Sequence, residues 1–146
     1  MEAVHPSNPP PGEHPEHPAI VAFVRTTLGC QCPDDVFRAV AVERVGARNG
    51  GIAHVRLTVG DRLLIYVFEP GQAGAAAEVV ESLARTGIAE RNARGFNRFR
   101  LVIATPNPRG FPGDAPATFA AVAGPDARAH LHFVATSGLP PALRSP

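Results

Sequence analysis

The stretch His54-Val55-Arg56-Leu57-Thr58-Val59-Gly60-Asp61-Arg62-Leu63-Leu64-Ile65-Tyr66-Val67-Phe68 decides the fold. Its first half sets Val55, Leu57 and Val59 against His54, Arg56 and Thr58, the period of two of a half-buried strand over 52–59. Gly60-Asp61 reads as a two-residue hairpin turn with glycine first. The second half, 62–68, is apolar on both faces, which marks a strand covered on both sides and therefore central.

Working outward, a Val-rich run predicts a first strand at about 37–45, separated from the second by the turn cluster Gly46 to Gly51. Ile20, Phe23, Val24 and Leu28 make an apolar stripe for a helix over 18–28, with Pro18 in its first turn and Gly29 at its C′ position. Downstream, Ala76, Val79, Val80 and Leu83 predict a helix over 72–86 that Gly87 would end. The polar residues 88–97 carry no clear period. A fourth strand is expected at 98–104, a short helix over 115–123 capped by Asp114 and closed by Gly124, and a fifth strand at 130–135.

The resulting order, α-β-β-β-α-β-α-β, predicts an α/β (or α+β) protein: an antiparallel meander followed by two right-handed crossover units, giving a mixed five-stranded sheet. Residues 1–18 hold six prolines and three histidines and almost no large apolar group, so they read as a disordered tail. His5, His14 and His17 are taken as part of that tail rather than as a metal site. Residues 19–136 form the single expected domain, and 137–146 a loose C-terminal tail.

Net charge is +1, so bulk electrostatics favour neither nucleic acid nor a membrane surface. All 14 basic residues are Arg, which excludes Schiff-base chemistry and a P-loop lysine in this chain acting alone. No apolar run approaches the roughly 18 residues of a membrane helix, and Met1 to Pro6 lacks the pattern of a secretory signal. The expectation is a cytoplasmic protein, where the two cysteines are not a structural disulfide framework.

Those cysteines, Cys30 and Cys32, are one residue apart in Leu28-Gly29-Cys30-Gln31-Cys32-Pro33-Asp34-Asp35-Val36-Phe37. Pro33-Asp34-Asp35 reads as a helix start, with Cys32 where an N-cap would sit. Unpaired N–H groups there favour a thiolate, while Asp34 and Asp35 oppose it. Cys32 would be the activated thiol and Cys30 its resolving partner. A disulfide across one intervening residue suits a transient rather than a structural role.

The predicted topology gathers the amino ends of strands 1, 3, 4 and 5 at one sheet edge. Cys30 and Cys32 precede the first of these strands, Arg98 and Arg100 open the fourth, and His130 and His132 open the fifth on one face. Cys30, Cys32, His130 and His132 form a candidate ligand set for zinc or another soft transition metal. Two thiols from each of two subunits would also make a four-sulfur site in a homodimer. The opposite edge offers Glu69, Asn107, Arg109 and Ser137 as a small polar pocket, against a plain turn-chemistry reading. Arg85, Arg91, Arg94, Arg98 and Arg100 could meet phosphate or an acidic partner, though the favoured reading is a solvated face.

The α-β-β-β-α-β start resembles the core order of PD-(D/E)xK nucleases, whose chemistry needs acids followed by Lys on strands 2 and 3. Here Asp61 is in a turn, Glu69 ends strand 3 and Lys is missing, which removes that reading. No nucleophile elbow, P-loop or dinucleotide fingerprint is present. The segment from Leu28 to Phe37 resembles an LGCxCPxxVF-type motif of small uncharacterised bacterial proteins, and that resemblance implies no activity. The residues thus point to a small protein whose Cys30/Cys32 pair performs thiol redox or metal handling. The alternative is a non-enzymatic module that binds a protein partner through a sheet edge or the Arg-rich stretch, with cysteines that only pack.

Overall fold

β3 (Leu63–Phe68) is the central strand of a five-stranded mixed sheet, as its two apolar faces require. It lies between β2 (His54–Val59) and β4 (Arg98–Thr105), with β1 (Val40–Val45) and β5 (Ala129–Ala135) at the edges. β1, β2 and β3 are antiparallel neighbours, whereas β4 runs parallel to β3 and β5 parallel to β4. The fold is therefore α/β with the expected meander and crossovers. These features come from a computed structural model that describes residues 15–47, 51–70, 77–111 and 113–145. Most of the expected N-terminal tail lies outside the described residues.

Period-two alternation sends each strand's side chains to opposite faces, and each face has its own cover. On one face, Val55, Leu57, Ile65 and Val102 pack against Ile20, Phe23 and Val24. The latter come from α1 (His17–Ala22) and the π turn Phe23–Thr27 that continues it. On the other, Leu64, Tyr66, Phe99, Leu101 and Ile103 pack against α2 (Ala77–Arg94) and α3 (Ala115–Ala123). Among the described residues, no helix is long and apolar enough to cross a membrane.

Several expectations are corrected. Residues 37 and 38, expected to open the first strand, instead complete the 3-10 turn Asp34–Arg38 that begins at the expected Pro33-Asp34-Asp35 start, and β1 begins only at Val40. The second helix does not end at Gly87; it runs on to Arg94 and is closed by Gly95, whose φ is +77°. Gly87 is instead a notch: a Cβ there would stand 2.1 Å from the Phe99 ring. Asp114 makes no side-chain cap on α3.

The C-terminal residues are not loose. Leu139 and Leu143 are buried in the first core, with 3-10 turns at Thr136–Gly138 and Pro141–Leu143. Nor does the fold begin at 19, because His17 opens α1, donating from Nε2 to the Phe37 carbonyl at 2.7 Å.

Candidate functional site

The first sheet face is apolar except at Arg44 near the end of β1 and at the amino ends of β4 and β5. Along β4, Val102 and Ala104 belong to that core, so Arg98 and Arg100 share their side; along β5, Val134 places His130 and His132 there too. Strand register sets Arg100 opposite His130 and Val102 opposite His132. The side chains meet diagonally: Arg98 Nη1 donates to His130 Nε2 at 3.1 Å, and Arg100 Nη1 to His132 Nε2 at 2.8 Å.

The Cys-Gln-Cys segment reaches this corner because the first helix ends abruptly. Leu28 N–H closes the π turn onto the Phe23 carbonyl at 3.1 Å, and Gly29 takes φ +74°. Cys30 N–H then returns to the Val24 carbonyl at 3.1 Å. Cys30 and Cys32 are joined as a disulfide, with their Cα atoms 5.4 Å apart. Both are half-buried and pack against the first core. Arg25 anchors the far side of the segment, donating to the Cys32 carbonyl at 2.9 Å and to Asp34 Oδ1 at 2.6 Å, with its guanidinium 4.9 Å from the centre of the Phe37 ring.

Between the disulfide and the strand ends lies a cleft of about 440 Å³. Its walls are Gly29 to Pro33 and Val36 on one side, and Arg62, Leu63, Asn97, Arg98, Arg100 and His130 on the other. No Asp or Glu is among these wall residues. Arg100 is only 8% exposed; it donates to the Leu28 carbonyl at 3.2 Å as well as to His132, and its Nε has no hydrogen-bond partner. No carboxylate pairs with Arg98 or Arg100 among the described residues.

These neighbours set the protonation of the corner. Burial first, then Arg100 and His130, push His132 down to about 4. Burial, followed by Arg100 and Arg98, also lowers His130, against a small opposing effect of Asp126. Burial and then Arg98 lower Arg100 itself. A neutral imidazole carrying its proton on Nδ1 leaves Nε2 as the acceptor that each guanidinium contacts.

The structure thus brings Cys30, Cys32, Arg98, Arg100 and His130 to one cleft, as the shared sheet edge implies. It does not assemble the four-ligand metal set. No group of three His, Cys, Asp or Glu side chains among the described residues could hold a metal ion. The sulfurs are bonded to each other, and Nε2 of each imidazole is taken up by a guanidinium. Cys32 is also not an N-cap. Pro33 takes that position, and the turn that follows, Asp34–Arg38, is too short for a helix-terminus argument.

At the opposite edge, Glu69 accepts the Ser145 N–H at 2.5 Å, so the chain's own C-terminal segment occupies it. Arg109 and Ser137 lie exposed in 3-10 turns. The Arg-rich stretch is not one solvated face. Arg85 pairs with Glu81, Arg91 with Asp126 at 2.6 Å while 3% exposed, and Arg94 with Glu90, which leaves Arg98 and Arg100 to the cleft. In comparison with known proteins, no family model, curated protein or solved structure matches this chain.

Proposed function

We propose that the Cys30–Cys32 pair is a redox-active dithiol/disulfide that exchanges with thiols entering the adjoining cleft. The observation that carries this reading is the placement of the disulfide in the wall of an open cleft beside Arg98, Arg100 and His130. An external thiolate attacks one sulfur, forming a mixed disulfide and releasing the other as a thiolate. A second external thiolate then attacks the external sulfur of that mixed disulfide and releases the bound protein sulfur as a thiolate, leaving two reduced protein sulfurs and one external disulfide. Cationic side chains around the cleft stabilise each thiolate as it forms. Thiol exchange is preferred to metal handling because the two sulfurs are bonded to each other and Nε2 of each imidazole already accepts from Arg98 or Arg100.

The test is equilibration of the chain in buffers of defined thiol/disulfide ratio, with the free thiols trapped and counted. Two thiols should appear and disappear together at one midpoint, and native reduced protein should label rapidly. If the pair resists both reduction and labelling until the protein unfolds, the redox reading fails. Cys30→Ser and Cys32→Ser variants then show which sulfur forms the mixed disulfide.

A further inference from the structure

We infer that the cleft beside the disulfide contains an anion subsite built on Arg100 and Arg98, so that the exchange partner is a small thiol or disulfide bearing a carboxylate or similar anionic group. This rests on the redox reading for the word thiol, but the subsite stands on separate observations.

Arg100 is the first. Its side chain is more than nine-tenths buried, its Nε lacks a partner, and it lines the cleft. A buried guanidinium normally faces a carboxylate or carries a full set of acceptors, because its desolvation is otherwise uncompensated. The contrast inside this chain is direct. Arg91, also buried and also with one unpartnered nitrogen, has Asp126 at 2.6 Å, and Arg56 has Glu90, so what sets Arg100 apart is the missing carboxylate. The acceptors that Arg100 meets are a carbonyl and an imidazole, neither of which brings negative charge.

The second observation is the company Arg100 keeps. Arg98, on the same face, spends its contacts on His130 and the Ala127 carbonyl, and Arg62 completes the cationic wall. The surrounding acids are engaged or set aside: Asp35 and Asp61 line an adjoining groove that shares Arg62 and Val36 with the cleft, Asp34 pairs with Arg25, and Asp126, which acts on His130, pairs with Arg91. The cleft thus concentrates positive charge at Arg98 and Arg100. His130 and His132 orient the two guanidiniums without neutralising them. An anion entering there supplies the missing charge and meets the open donor geometry of a guanidinium. The cleft's size suits a small molecule rather than a protein surface.

The experiment compares two aromatic disulfides as probes of the reduced chain: dianionic dithiobis(nitrobenzoate) and neutral dithiodipyridine. The wild-type thiols should favour the anionic probe relative to a small-molecule dithiol reference. That preference should fall about tenfold in Arg98→Gln and Arg100→Met, and shrink as salt is raised. Arg98→Gln keeps the test valid if Arg100→Met fails to fold. Separately, the Cys30→Ser/Cys32→Ser variant should still be stabilised against heat by inorganic phosphate more than by chloride at equal ionic strength, and adding Arg98→Gln should remove the difference. Equal reactivity toward both probes, with no phosphate effect, overturns the subsite while leaving the redox reading intact. A phosphate effect in a protein whose thiols do not cycle overturns the redox reading and leaves the subsite.

Discussion

Arg100 donates a 2.8 Å hydrogen bond to His132 Nε2 across neighbouring parallel strands, and the imidazole must be neutral to accept it. The pair joins a buried cation to a histidine that is held from protonating.

Stability should fall on acidification because of this histidine. His132 is pushed from 6.5 down to about 4. The unfolded chain therefore takes up this proton first as pH falls, and the loss accrues between 6.5 and about 4, with no further contribution below. Discounted for partial exposure, the effect is on the order of 2 kcal/mol. His130, lowered by the same neighbours, adds in the same direction. Urea unfolding at pH 7 and pH 4.5 should show a smaller difference in His132→Gln, whose amide oxygen can still accept from Arg100. An unchanged difference would mean the histidine is not held neutral.

Glu90 is the hub of the other sheet face. It accepts from Arg56 and from the Tyr66 hydroxyl, the latter at 2.5 Å, and Arg94 lies 3.5 Å away. Despite the upward push of burial, the bonds from Arg56 and Tyr66 hold its carboxyl below the ordinary value. Glu90→Gln should cost about 2–4 kcal/mol, because it leaves a largely buried Arg56 with only the exposed Glu43, 3.7 Å away, as counter-charge. Glu81→Gln, which breaks only the exposed pair with Arg85, should cost under about 0.5 kcal/mol. Parallel denaturant titrations of the two variants decide the point, and equal losses would contradict it.

Gly87 sits mid-helix where alanine would ordinarily be favoured by about 1 kcal/mol. Here Gly87→Ala should instead destabilise by about 1–3 kcal/mol, since its methyl would meet the fully buried Phe99 ring. In a double-mutant cycle with Phe99→Leu the two changes should compensate in part. Additive losses would show that the helix shifts rather than the ring.

Leu143→Ala should cost about 2–5 kcal/mol, as for other large buried side chains. Leu143 is 0% exposed in the first core, although only three residues follow it in the sequence. A melting temperature within a degree of wild type would return the C-terminus to the status of a tail.

Much of the architecture was legible in local pattern. The double-faced apolar run 63–68 predicts the central strand, and alternation at Val55, Leu57 and Val59 predicts its antiparallel neighbour. Where the reading failed, a distant contact outweighed a local rule. Gly87 looked like a helix end but is glycine because Phe99 packs onto it. Residues 88–94 carry no clear period, because Glu90 and Arg91 answer to partners in the sheet and at Asp126. Leu139 and Leu143, surrounded by proline and glycine, gave no period to read.

The candidate site divides in the same way. From sequence come the Cys-x-Cys pair, the Arg-x-Arg and His-x-His doublets, and the sheet edge they share, because the twofold side-chain period and strand direction are set locally. Tertiary structure alone decided how they combine. Diagonal contacts between β4 and β5 spend the imidazole acceptors on guanidiniums, and the turn at Gly29 carries the sulfurs to the cleft mouth. Whether a charge is buried, and whether anything nearby balances it, depends on residues far apart in the chain; that is why Arg100's missing counter-charge could not be read before the fold brought Leu28, Arg100 and His132 together.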